Sequence, residues 1–497
     1  MITDTTRFMR MLGLLESARP PPRAKRPGPG VVIGHKEDGE PVVLSTPGWS
    51  SAHHVFVCAG TGTGKSVLIS NAIALEFIAS LANLPVEQQT SYVIVDPKGD
   101  LAKHVGEALG AMAPSALTRL TILDPFSVAG FQFNLNKLAS HVPCDIRAMQ
   151  LADLVGQVST GPGGQGVGHR QVDVLQHLLL GALAVDRDGA SPLLALDALV
   201  QPGGFEQLAA LTGSTRAKDF LRSTKLSGEL QASTLSRLRT AFAATEQLER
   251  LTSSRGCIDI EALCGPGRIV ILDLGQPPGG LAILVKFWGN LVLRQFADQL
   301  ISRRSPWTGH HTRLVIDEAQ ILVPVLSDLA EITLTTGRSR GISLVTMTQT
   351  LSLLQRESQA LVQCLEANVP CKLVGRVAAA DADLISRELA SVPDSTEPRS
   401  KVRERFTSSV TNLKDRSFFA LGPGVADQFK AVSVDTGAWR DGSLTHQQAL
   451  AAARERFAVE GTSKRIRLSD LAQPVATPRA AAKAEDAPRQ RPRSRWG

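Results

Sequence analysis

Residues 59–66 read AGTGTGKS, placed directly after the strand-like run HVFVC (54–58) and directly before the apolar stretch Val67–Leu75. A strand that breaks into small residues and restarts as a helix restricts the fold to an α/β sheet whose strand ends meet helix N-termini. Gly60, Thr61, Gly62, Thr63 and Gly64 let consecutive backbone N–H groups point at a polyphosphate. Lys65 is placed to reach its β and γ phosphates, and Ser66 to ligate Mg²⁺ at the start of the helix. Ala59 stands where glycine is commoner, which a residue with negative φ tolerates. The expected ligands are ATP and Mg²⁺. A glycine-rich turn that binds nothing is the alternative, and the strand before and helix after weigh against it.

Further apolar runs recur at Tyr92–Val95, Leu117–Leu123, Arg268–Leu272, Leu314–Ile316, Ser343–Thr346 and Lys372–Val374. Helical segments lie between them, and each run is apolar at nearly every position. They read as strands of a mainly parallel sheet buried on both faces. Val31–Pro47, with Asp38-Gly39 as a turn, reads as a short β lead-in to the first core strand. From about 140 to 255 the β-branched runs vanish, and helical periodicity appears in Gln171–Ala184, Phe205–Leu211 and Glu229–Leu251. This is an expected α-helical insertion, with 159–168 (STGPGGQGVG) as a loop inside it. It accounts for the roughly 250 residues between Lys65 and the acidic pair described next, where a few βα units of about 30 residues would need far fewer.

Residues 313–320, RLVIDEAQ, form an apolar strand ending in two adjacent carboxylates. Opposite a phosphate loop, Asp317 is suited to hold Mg²⁺ and Glu318 to act as general base on the attacking water, so turnover of the nucleotide is expected. Gln349, at the end of another strand, is a candidate γ-phosphate sensor. The turn GRSRG (337–341) carries Arg338 and Arg340; an arginine here reaches a neighbour's loop more easily than its own, as a finger in trans, and a surface turn with solvated arginines is the alternative. VDPKGDL (95–101) closes the second strand and places Asp96 and Lys98 at the carboxyl edge of the sheet, where open α/β folds hold ligands.

Composition narrows the class. With 497 residues, 43% hydrophobic and 20% charged, the chain has material for a large core of two or three domains. No apolar run reaches the roughly 18 uninterrupted residues that span a bilayer, since Lys286 and Arg294 break the longest, so no intrinsic membrane span is expected. Six scattered cysteines without C-x-x-C pairs argue against zinc and against a disulfide framework. His53-His54 and His310-His311 lack converging ligands and read as strand-edge residues. The net charge of +7 suits a polyanionic partner. Much of it sits in the Pro-rich stretch 19–30 and in a Pro- and Ala-rich tail carrying Arg479, Lys483, Arg489, Arg491, Arg493 and Arg495, which reads as a solvated basic arm. Arg216, Lys218, Arg222, Lys225, Arg237 and Arg239 of the insertion are candidate DNA contacts or a solvated face.

AGTGTGKS, VDPKGDL, LVIDEAQ, TTGRSRG and MTQT occur in the order seen in the hexameric DNA-pumping ATPases of the HerA/FtsK superfamily. Within it the chain most resembles type IV secretion coupling proteins of the TraG/TraD type, over about residues 31–435. The resemblance implies a RecA-like P-loop NTPase core with an inserted all-α domain. Its organisation would be a basic Pro-rich segment (1–30), core halves at 31–140 and 256–435, the insertion at 141–255, and a C-terminal helix with a basic tail (436–497). It further implies Lys65 and Ser66 on nucleotide and Mg²⁺, Asp317 and Glu318 as the Walker B pair, Arg338 or Arg340 as a finger in trans, and Gln349 as sensor. The function implied is a homohexameric ATPase that moves DNA without sequence preference in conjugative transfer, with secretion-channel or relaxosome proteins as partners. A bacterial cytoplasmic protein recruited to the inner membrane by a partner is expected. A HerA-type helicase working with a nuclease in repair or phage defence, and a nucleotide-gated assembly protein that does not pump, are the alternatives.

Overall fold

A computed structural model describes residues 30–45, 54–127, 131, 133, 142–157, 168–185, 191–253, 257–389, 399–422, 425–431, 448, 451–454 and 467–472. The stretch 19–29, His53, the loop 159–167 and the basic tail beyond 472 lie outside them.

Among the described residues, eleven strands form one sheet: β1 (Gly30–His35), β2 (Pro41–Ser45), β3 (Val55–Cys58), β4 (Ser91–Asp96), β5 (Leu120–Leu123), β6 (Ile269–Asp273), β7 (Thr312–Ile316), β8 (Ile342–Thr348), β9 (Cys371–Val374), β10 (Ser417–Gly422) and β11 (Val425–Ala431). Their order is β2-β1-β11-β10-β9-β3-β8-β7-β4-β6-β5. The seven strands from β9 to β5 are all parallel, as the continuous apolar runs require. Alternate residues feed opposite cores. Val55, Val57, Ile94, Ile271 and Val315 pack with helices α1 (Lys65–Asn83) and α2 (Asp100–Met112). Phe56, Val93, Val95, Leu272, Leu314 and Ile316 join the other core.

Two strand expectations shift in detail. Leu117 belongs to a 3-10 turn, Pro114–Arg119, and the strand begins only at Leu120, because Pro114 starts a helical turn that the chain must finish first. The β lead-in is a hairpin, with Gly39 at φ 81° donating its N–H to the Lys36 carbonyl at 3.0 Å. It does not neighbour β3. It adds to β11, so the sheet continues antiparallel through β10, β11, β1 and β2.

Among the described residues, seven helices occupy the insertion: Cys144–Gly156, His169–Leu183, Leu193–Val200, Gly204–Leu211, Thr215–Ser223, Gly228–Phe242 and Glu246–Ser253. The stretch read as one long periodic segment from Glu229 is two helices that break after Phe242. These helices share a continuous core with the sheet-covering helix Ala282–Ile301, whose Phe287 meets Phe242 edge-on at 5.2 Å between centroids. Leu468 and Leu471 are buried against the same insertion, on its Leu193–Val200 and Gly204–Leu211 helices. Among the described residues, the one helix long and apolar enough to cross a bilayer is α1, and 56% of its most apolar stretch is buried in the fold.

Candidate nucleotide site

The glycine-rich loop leaves the carboxyl end of β3, between β8 and β9, and enters α1 at Lys65. Gly62 and Gly64 sit at φ 77° and 95°, a backbone that L residues resist, so the loop can turn its N–H groups inward only because both are glycine. Ser66 Oγ makes no hydrogen bond among the described residues, which leaves it available to a cation at the helix start.

Lys65 is buried, and its ammonium lies 3.1 Å from Asp317 Oδ1 and 3.4 Å from Glu318 Oε1. The acidic pair closes β7, two strands from the loop, so the parallel sheet brings together residues roughly 250 positions apart. Glu318 is a non-glycine residue in the left-handed region, at φ 46°. That backbone aims its carboxylate back over the loop, where Oε1 meets Lys98 Nζ at 2.8 Å and accepts from Gln349 Nε2. Its Oε2 accepts from Gln320 Nε2 at 2.6 Å. Gln349 in turn accepts from the loop hydroxyl of Thr61 at 2.6 Å, linking the sensor position to both halves of the site.

Burial acts against the charge on both carboxylates, with different outcomes. Burial raises the Asp317 pKa, only partly offset by Lys65. For Glu318, burial also pushes upward, but Lys65, Lys98 and Gln320 outweigh it and hold the carboxyl below its usual range. An ionised Glu318 beside a free serine hydroxyl and an Asp is a donor set that fits Mg²⁺ and a triphosphate.

Asp96 and Lys98 part company. Asp96 is fully buried and accepts from the backbone N–H groups of Lys98, Gly99 and Ala102 at 3.1, 2.9 and 2.8 Å, so it caps α2 and does not face the loop. Burial pushes its carboxyl up to about 7, with Asp317 and Asp273 adding to the shift. Lys98, half-exposed, reaches the Glu318 carboxylate.

The arginine turn lies at the other end of β8. Gly337–Arg340 precedes that strand, so its seven residues, about 23 Å of strand, separate the turn from the chain's own loop. Arg338 is exposed, with no side-chain partner among the described residues. Arg340 donates through Nη1 to the carbonyls of Ile301 and Arg303, the latter at 2.8 Å, and so ties the turn to the preceding helix. The two are not interchangeable: Arg338 is the free one. Within the insertion, Arg237 is buried and donates to the Gly156 carbonyl at 2.7 Å, which removes it from any DNA-facing surface. The other five basic residues named there are exposed or half-exposed. His54 and His310 are buried, and His54 Nδ1 accepts from the Leu344 N–H at 3.1 Å.

Gln320 carries no role in the motif reading, although it stands inside RLVIDEAQ two residues after the glutamate it holds. Asp273, which bonds Arg454 at 2.8 Å beside Asp96, has no local signature at all.

Residues 311–417 match the family described as the TraM recognition site of TraD and TraG. The fold resembles the unbound conjugative coupling protein TrwB lacking its first 70 residues, at 17% identity and TM-score 0.53, covering 87% of this chain and 92% of that one. It also resembles TrwB bound to a non-hydrolysable ATP analogue (18%, TM-score 0.52, 83% and 90%) and VirB4 of Thermoanaerobacter pseudethanolicus (15%, TM-score 0.53, 82% and 98%). No curated protein matches the chain. The likeness to TraG/TraD-type proteins read from the motifs therefore stands on the sequence match at 311–417, and the solved structures show that most of the chain shares their fold.

Proposed function

We propose that the protein is a Mg²⁺-dependent ATPase that drives DNA movement as a coupling-protein motor in conjugative transfer. The observation that carries this reading is the Glu318 carboxylate, held by Lys65, Lys98, Gln349 and Gln320 beside Asp317 over the glycine-rich loop. Ser66 and Asp317 would hold Mg²⁺, which supplies charge neutralisation and polarisation of the phosphate oxygens when bound. Lys65 would exchange its carboxylate partners for the β and γ phosphates. Glu318, relieved of that contact, takes the proton of the attacking water, while Gln349 senses the terminal phosphate from its bridge between Thr61 and Glu318. Arg338 lies too far from its own loop to assist there, which supports a ring in which it completes a neighbour's site. The match at 311–417 to a TraM recognition site supports a relaxosome protein as partner.

ATP hydrolysis measured with and without DNA over a salt series tests this. Stimulation by DNA that fades steeply as salt rises is expected, because a motor without base preference binds through phosphates. Hydrolysis indifferent to DNA overturns the motor reading.

A further inference from the structure

Two non-glycine residues have positive φ among the described residues, Glu318 and Arg416, and they flank the same loop. Backbone strain of this kind persists where the surroundings impose it, and it concentrates at working sites. Glu318 has its role; Arg416 has none so far. It sits at φ 62° just before β10, and its backbone N–H donates to the Thr63 carbonyl of the phosphate loop at 2.8 Å. Its side chain lies against Gly64, close enough that a Cβ on that glycine would come within 3.0 Å of Arg416 Cγ.

A second arginine nearby sharpens the assignment. Arg376 accepts the Gly60 N–H through its carbonyl at 2.8 Å, but its guanidinium is taken up by Asp415 at 2.7 Å and by the Leu413 carbonyl at 3.3 Å. Arg376 thus holds the 413–416 turn in place. Arg416 is exposed, and its guanidinium has no partner among the described residues.

We infer that Arg416 is a nucleotide-binding residue, an arginine supplied in cis that contacts the phosphate nearest the nucleoside. The inference rests on the ATP reading above. Its direction follows from sheet order. Lys65, Lys98, Asp317, Glu318 and Gln349 converge on the β8 and β7 side of the loop, which sets the γ-phosphate end there. Arg416 lies on the β9 and β10 side, so the nucleotide, running away from Glu318, passes it at its α-phosphate. A cation on that side grips ADP as well as ATP.

The test is binding of ADP and of a non-hydrolysable ATP analogue, each with Mg²⁺, to the full chain and to Arg416→Gly and Arg416→Lys. Glycine keeps the N–H bond to Thr63 and relieves the left-handed backbone, so Arg416→Gly is expected to unfold at the same temperature or higher. Both nucleotides should bind at least about tenfold more weakly and by the same factor, with Arg416→Lys retaining part of the affinity. Unchanged affinity in Arg416→Gly, or a loss confined to the ATP analogue, overturns the inference. A wild-type chain that binds neither nucleotide overturns the ATP reading itself.

Discussion

Two buried clusters of paired opposite charges sit at the two ends of β7. At its amino end, Arg313 makes a bidentate pair with Glu76 of α1 at 2.7 and 2.8 Å, donates to Ser343 at 2.9 Å, and shares Glu76 with the Tyr92 hydroxyl. At its carboxyl end, Lys65 faces Asp317 and Glu318 at 3.1 and 3.4 Å. Burial is nearly the same in both, and so are the elements joined, β7 and α1. What differs is commitment. The Arg313 cluster has short two-point bonds and ordinary backbone. The Lys65 cluster has longer one-point contacts, a strained glutamate and a half-exposed lysine able to leave. The first geometry suits a fixed clamp between helix and strand, and the second a resting arrangement that a triphosphate can replace.

The largest consequence concerns chemistry. Glu318→Gln is expected to lower ATP turnover by about 10²–10⁴-fold while ATP still binds, because only the base is lost. Arg338→Ala should lower it by at least about 10³-fold without shifting the unfolding temperature, if the exposed arginine serves a neighbour. Mixing the two variants then becomes informative: activity regained in mixed assemblies, read by ATP hydrolysis against mixing ratio, would place the two residues in one shared site. Equal turnover of Arg338→Ala and wild type would remove the trans role.

Next comes stability at the other end of the strand. Arg313→Ala leaves Glu76 buried and unpaired and should cost about 3–5 kcal/mol in denaturant unfolding. The triple variant Glu76→Leu, Tyr92→Phe, Arg313→Met should recover most of it, since a clamp needs packing and not charge. A triple variant that stays as unstable as Arg313→Ala, or that folds but no longer binds nucleotide, would show that the amino-end cluster does more than fix α1.

The smallest effect is on pH dependence. The folded state keeps a proton on Asp96 up to about pH 7, whereas the unfolded chain releases it near 4. Folded protein therefore binds more protons between these values, and this group makes stability fall as pH rises from about 4 to about 7, with no further change above. Asp96→Asn should flatten that part of the stability curve, measured by unfolding at fixed pH steps. An unchanged slope would mean that the three N–H bonds keep Asp96 ionised.

Much of the carboxyl-edge site was legible because its parts are contiguous. AGTGTGKS carries turn, helix start and candidate side chains, and RLVIDEAQ strand, turn and candidate side chains, each within eight residues, so local spacing places those side chains once the strands are parallel. The parallel half of the sheet was legible for a similar reason: strands buried on both faces are apolar at nearly every position. The antiparallel extension was not, since a hairpin at 30–45 gives no sign that its partner is a strand some 390 residues later. Nor was the split between Arg338 and Arg340, or the loss of Arg237 to the interior, because arginines at similar spacing differ only in which carbonyls the fold brings to them.

By itself, then, the sequence determined the glycine-rich loop between strand and helix, the acidic pair at a strand end, and the presence of a helical insertion, all written in short-range pattern. Tertiary structure decided which charged groups are committed and which are free. Asp96 became a helix cap, Arg340 a tie and Arg313 a clamp, while Lys98, Arg338 and Arg416 kept exposed heads. The physical reason is that burial makes an unpaired charge costly, so a partner, near or distant in sequence, must be found for each interior one. Only the folded chain shows which partners arrive.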